Sequence, residues 1–138
     1  MSTREIKIAN IDYSILPLDA FSQLTLARKG APIFLGLSNS SSQVTLGDVY
    51  SQAINSFSDL SEEDFNLLIK TVFPFVRRMN ESNWVPIYNK QANVFSFADV
   101  DSGTIIKILV EAMLEYLPPF FNVLNQLILG EQPVQEQA

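Results

Sequence analysis

The sequence predicts a mainly α-helical fold, with a small N-terminal β-hairpin packed on a bundle of about four to six helices. Three observations lead there. Apolar residues recur at three- and four-residue spacing over most of the chain, most clearly at Phe65, Leu68, Ile69, Val72, Phe73 and Val76. Helix-start chemistry stands directly in front of that run, at Ser61-Glu62-Glu63-Asp64. Period-two alternation, the mark of a half-buried strand, is confined to the beginning of the chain. A length of 138 residues fits one core. The predicted organisation is a single helical domain over residues 1–130, with a flexible loop at 36–45 and a disordered tail at 131–138.

Glu5-Ile6-Lys7-Ile8 and Tyr13-Ser14-Ile15-Leu16 alternate polar with apolar, and the turn residues Ala9-Asn10-Ile11-Asp12 lie between them, which predicts the hairpin. A lone hairpin is marginal in water, so its apolar face must lie on helices. Pro17 and Asp19 open a first helix, with Phe21, Leu24 and Leu26 as its apolar positions and Arg28-Lys29-Gly30 as its stop. The Ser-rich stretch Gly36–Thr45 reads as a mobile loop, and Val49, Tyr50, Ala53, Ile54 and Phe57 predict a second helix over Leu46–Phe57. Ser61 is placed to cap a third helix, and its three following acids sit on the positive end of the helix dipole. Pro74 predicts a kink or restart in that helix. Trp84, Pro86, Tyr88 and Asn93-Val94-Phe95-Ser96-Phe97 read as an aromatic loop seated on the core. Asp101 or Ser102 then caps a long apolar stretch, Thr104–Leu129, predicted to be helical to Leu117 and to restart at Pro119.

Composition narrows the chemistry. Histidine and cysteine are both absent, which removes the common nucleophile–base pairs, thiol chemistry and most transition-metal sites. The net charge of −6 argues against binding nucleic acid, which depends on clustered Lys and Arg. The basic pairs Arg28-Lys29 and Arg77-Arg78 read as helix C-terminal charges. Thr104–Leu129 is long enough to span a bilayer, but Glu111 and Glu115 alone would cost roughly 5 kcal/mol near its centre, so no membrane role is expected. Asp99-Val100-Asp101-Ser102-Gly103 opens like a calcium loop, yet the twelfth position is Val110 rather than a bidentate acid. The glycines form no phosphate-binding or dinucleotide motif. No catalytic residue, metal site or cofactor is expected, and the chain does not read as an enzyme.

The order of the parts resembles the tail assembly chaperones of long-tailed bacteriophages. The resemblance is carried by a hairpin running into Leu16-Pro17-Leu18-Asp19-Ala20-Phe21, the Ser-rich loop, the Leu60-Ser61-Glu62-Glu63-Asp64-Phe65 helix start, the aromatic stretch Asn93–Phe97, and a terminal helix through Leu117–Phe121. It implies one continuous terminal helix, where Pro118-Pro119 by themselves predict a break. It also implies a non-catalytic protein of the infected bacterium's cytoplasm, absent from the mature virion. Such a protein binds the tape-measure protein, keeps it soluble and helps recruit tail-tube protein; in such families a frameshifted longer form accompanies the short one. Phe120, Phe121, Leu124 and Leu127 are the residues expected to face the partner, including a second copy of this chain. The alternative from another class is an acidic inhibitor or immunity-type protein that plugs a basic partner with Glu62, Glu63, Asp64, Glu111 and Glu115.

Overall fold

A computed structural model describes residues 3–38 and 46–129, with side chains at 3–33, 51 and 53–117. The N-terminal hairpin is present: strand β1 (Arg4–Ile8) pairs antiparallel with β2 (Ile11–Ile15), with Ile8 opposite Ile11. Its two-residue turn places Ala9 and Asn10 at φ of 52° and 64°. Left-handed backbone at both positions matches the twist of the flanking strands. Lys7 and Asp12, directly opposite one another, form an ion pair at 3.2 Å.

The expected helical bundle bearing only a hairpin is corrected by the strands that come after helix α3 (Glu62–Val72). Phe73–Phe75 form a single 3-10 turn around Pro74, and the chain then runs as β3 (Val76–Asn80) and β4 (Asn83–Pro86). These join the hairpin in a four-stranded antiparallel sheet of order β1-β2-β3-β4, and β5 (Tyr88–Asn89) with β6 (Val94–Phe95) make a second, two-stranded one. The fold is therefore mixed α and β. Two local causes explain the departure. Pro74 supplies no amide to the ladder and stops the helix outright, so Val76, which continues the helical spacing of α3, is the first residue of a strand. The β3–β4 turn is made by Glu81 and Ser82 at φ of 51° and 77°, with no glycine to announce it. Arg77 and Arg78 are consequently strand residues and not helix C-terminal charges.

Helix α1 spans Ala20–Ser38, past the expected stop at Arg28-Lys29-Gly30 and with Pro32 inside it. Gly30 is buried, and a Cβ there would come within 3.1 Å of Met113 Sδ and 3.6 Å of Leu117 Cδ1. Its small size lets α1 approach α4; it does not end the helix. Of the expected loop, residues 36–38 belong to α1, while 39–45 lie outside the described residues, as does the tail at 131–138. Helix α2 covers Leu46–Ser58. In α3, Ser61 accepts the amide of Asp64 at 3.0 Å, as its capping position predicts. Helix α4 runs Ser102–Leu129 without a break at Pro118-Pro119, so the continuous helix implied by the resemblance replaces the interruption expected from the prolines. Asp101 caps it, accepting the Thr104 amide at 2.9 Å.

The core gathers α1, α3 and α4 against one face of the sheet. Tyr13, Ile15 and Val76 come from strands, Leu26 and Ile33 from α1, Leu68 and Val72 from α3, and Ile108, Leu109 and Met113 from α4. Two polar ties join α4 to the N-terminal part of the chain, one from the segment between β2 and α1 and one from β1. The Leu18 amide donates to Tyr116 Oη at 2.9 Å, and Arg4 of β1 reaches Glu111 at 2.7 Å and Glu115 at 2.8 Å on α4. Burial works against the Arg4 charge, but the hydrogen bonds to the two glutamates prevail and its pKa is raised.

Candidate partner-binding surface

The acids divide into those held by the chain itself and those that face outward. Glu111 and Glu115, one helical turn apart, clasp Arg4, and Asp64 pairs with Lys29 at 3.1 Å. Three of the five acids of the inhibitor reading are thus engaged within the fold. Glu62 and Glu63 remain exposed in the first turn of α3. Asp99 accepts Arg78 at 2.8 Å, which holds its carboxyl below the ordinary range, and Asp101 is lowered in the same way by the Thr104 amide. Both are occupied as an ion-pair partner and a helix cap. Among the described residues, no group of three or more acids is placed to hold a metal ion.

The aromatic stretch expected to be a loop is largely strand, in β4, β5 and β6, and Tyr88, Phe95 and Phe97 from it pack on the core while Val94 is exposed. Phe95 meets Phe73 edge-on at 5.2 Å and Tyr88 at 5.3 Å. Phe97 lies beneath the Arg78 guanidinium, 3.9 Å from its ring centre.

Large apolar side chains reach solvent elsewhere: Phe21 (84% exposed) and Leu24 (50%) on α1, Ile54 (47%) on α2, and Leu67 (37%) on α3. In the sequence, Phe21 and Leu24 stand out only as apolar positions of a helix. The signal that separates them is angular. At about 100° per residue, Leu26, Gly30 and Ile33 share one side of α1, whereas Phe21, Leu24 and Arg28 fall on the opposite side.

A groove opens where α2, α3 and α4 meet. After α2 the chain reverses tightly, the Leu60 amide bonding back to the Phe57 carbonyl at 3.2 Å, and Ser61 starts α3 at once. The reversal brings Phe57 and Phe65 edge-to-face at 5.8 Å. Around them Ile54, Leu60 and Ile106 form walls, with Ser58 and Glu62 at the edge, enclosing about 350 Å3. The lining is apolar but for the Ser58 hydroxyl and the Glu62 carboxylate, a surface suited to holding a hydrophobic segment. Phe120, Phe121, Leu124 and Leu127 lie in the second half of α4, outside the side chains described; the continuous helix sets Phe120, Leu124 and Leu127 at i, i+4 and i+7.

No helix among the described residues is long and apolar enough to cross a membrane. No curated protein and no solved structure matches the chain. One family model, that of the phage tail assembly chaperone protein, TAC, matches residues 9–128, from the first hairpin turn to the last turn of α4. With nearly its whole length accounted for by that match, the chain belongs to the phage tail assembly chaperone family.

Proposed function

We propose that this chain is a non-catalytic chaperone that binds the tape-measure protein in the cytoplasm of the infected bacterium, keeps it soluble, helps recruit tail-tube protein, and is left out of the mature virion. The observation that carries the reading is the family match over residues 9–128. Its physical support is the pairing of exposed apolar side chains with a net charge of −6. The apolar surface covers hydrophobic helical faces of the partner, and the charge keeps the resulting complex in solution. Phe120, Phe121, Leu124 and Leu127 are the residues proposed to face the tape-measure protein, as an apolar stripe on the last turns of α4. The inhibitor reading loses support, because Glu111, Glu115 and Asp64 already bind basic groups of their own chain.

Co-expression of the tape-measure protein with wild type and with the double variant Leu124→Asp/Leu127→Asp tests the proposal. Wild type should carry the tape-measure protein into the soluble fraction; the variant, with an unchanged circular dichroism spectrum, should not. A folded variant that solubilises its partner as well as wild type would move the contact away from α4. An unfolded variant would make those leucines core residues.

A further inference from the structure

Tyr13, Ile15 and Val76 point into the core, so their neighbours Ser14 and Arg77 stand on the face of the four-stranded sheet turned away from the helices. The pairing register sets Glu5 opposite Ser14 and Ser14 opposite Arg77, which lines up an acid, a hydroxyl and a base in one row across three strands. Together with Thr3, Leu16 and Trp84 the row lines a pocket of about 240 Å3. The charges of the neighbouring row, Lys7 and Asp12, pair with each other. Those of this row do not. Glu5 and Arg77 have Ser14 between them, and neither has an ion-pair partner among the described residues. Ser14 is 3% exposed, and its hydroxyl has no hydrogen-bond partner among those residues either. A polar group so deeply placed is normally satisfied, and here the pocket is where a partner atom can reach it.

The spacing of the row selects the ligand. Alternate strands lie about 9.6 Å apart, and a charge-assisted hydrogen bond of about 2.8 Å at each end leaves about 4 Å between the cationic and anionic atoms of a molecule that bridges them. The ammonium and carboxylate of an α-amino acid, joined through one Cα, stand about 3 Å apart, whereas those of a dipeptide are separated by one residue more, about 6–7 Å. Charge narrows the choice further: Glu5 repels a bare carboxylate and Arg77 a bare amine, while a dipolar ligand satisfies both. A volume of 240 Å3 equals the share of roughly eight waters, which suits a molecule of that size, and Leu16 and Trp84 offer its side chain an apolar wall.

We propose that this pocket binds a free α-amino acid with an apolar side chain, its carboxylate on Arg77, its ammonium on Glu5, the Ser14 hydroxyl donating to the carboxylate, and its side chain against Leu16 and Trp84. The pocket shares no residue with the α2–α3–α4 groove. Occupancy ties β1 to β3 across β2, so the ligand stabilises the fold that it binds.

Trp84 is the chain's single tryptophan and lines the pocket, which makes its fluorescence a direct reporter. Titration of the full chain with L-leucine should change that emission saturably and raise the melting temperature. Leucinamide, which lacks the carboxylate, and 4-methylpentanoate, which lacks the amine, should each bind about tenfold or more weakly than leucine. Arg77→Gln and Glu5→Gln, both at exposed positions, should each weaken leucine binding about tenfold or more with an unchanged circular dichroism spectrum. Leucine that alters neither emission nor melting temperature up to about 10 mM, an analogue that binds as well as leucine, or a folded variant that binds it as wild type does would each overturn the proposal. Should a variant fail to fold, the comparison of leucine with its two analogues on wild type decides the matter.

Discussion

Replacing Tyr116 by phenylalanine isolates the polar tie between α4 and the segment that joins β2 to α1. The phenol oxygen accepts the Leu18 amide at 2.9 Å, and both residues are buried, at 4% and 3% exposure. Phenylalanine keeps the ring and its packing, removes the acceptor, and leaves the Leu18 N–H without a partner where water does not reach. An unsatisfied buried donor costs about 1–3 kcal/mol. Unfolding entropy of about 2.1 cal/mol/K per residue, taken over 138 residues, means that each kcal/mol shifts Tm by about 3.5 °C. The variant should therefore melt about 3–10 °C below wild type, with the same far-ultraviolet spectrum and the same denaturant dependence. Thermal and urea unfolding of the two proteins side by side provides the assay. A Tm within about 1 °C of wild type would show that the Leu18 amide is satisfied some other way and that this tie does not hold the β2–α1 connection to α4.

Three other outcomes are expected from the geometry. Glu81→Asn with Ser82→Gly should stabilise the protein by about 1–2 kcal/mol in urea unfolding, because both residues now occupy left-handed backbone that Asn and Gly adopt at little cost; no gain would mean the β3–β4 turn is not strained. Gly30→Leu should cost about 1–2 kcal/mol net, the crowding against Met113 and Leu117 outweighing the gain in helix propensity; a more stable variant would show that α4 gives way freely. The carboxyls of Asp19, Asp99 and Asp101 are held below their ordinary value of 3.8 by the Ser22 amide, the Arg78 guanidinium and the Thr104 amide in turn. As pH falls the unfolded chain takes up these protons first, so the stability they contribute is complete above 3.8 and is lost as pH drops through their lower folded values. Replacing all three by asparagine should flatten the acid limb of a plot of urea midpoint against pH, and an unchanged limb would assign it to other carboxylates.

Much of the fold can be read from local chemistry. The hairpin comes from period-two alternation, and the start of α3 comes from Ser61 and its three acids, because in each case a short run of residues decides the backbone. The second half of the sheet cannot be read this way. Val76 sits at a helical spacing from α3, β3 carries two arginines, and the two left-handed positions of the turn that reverses it hold neither glycine nor asparagine. Pairing with β2, which is distant in the chain, makes Val76–Asn80 a strand. The end of α1 is obscured for a similar reason. Gly30 has the local look of a helix stop, and only the nearness of Met113 reveals that it is small so that two helices can touch. Pro118-Pro119 likewise look like a break within a helix that continues. Of the candidate binding surface, the apolar character of α2, α3 and α4 is visible in the sequence, while the groove depends on how three helices meet. The exposed side of α1 is hard to see because Phe21 and Leu24 stand close to Leu26 in the chain, although their angles around the helix separate them.

The chaperone account is tested most directly by co-expressing this chain with its phage's tape-measure protein and passing the soluble fraction through size-exclusion chromatography with light scattering. The expected result is a soluble complex in which several copies of this chain accompany one tape-measure protein. A tape-measure protein that remains insoluble, with this chain eluting alone, would contradict it.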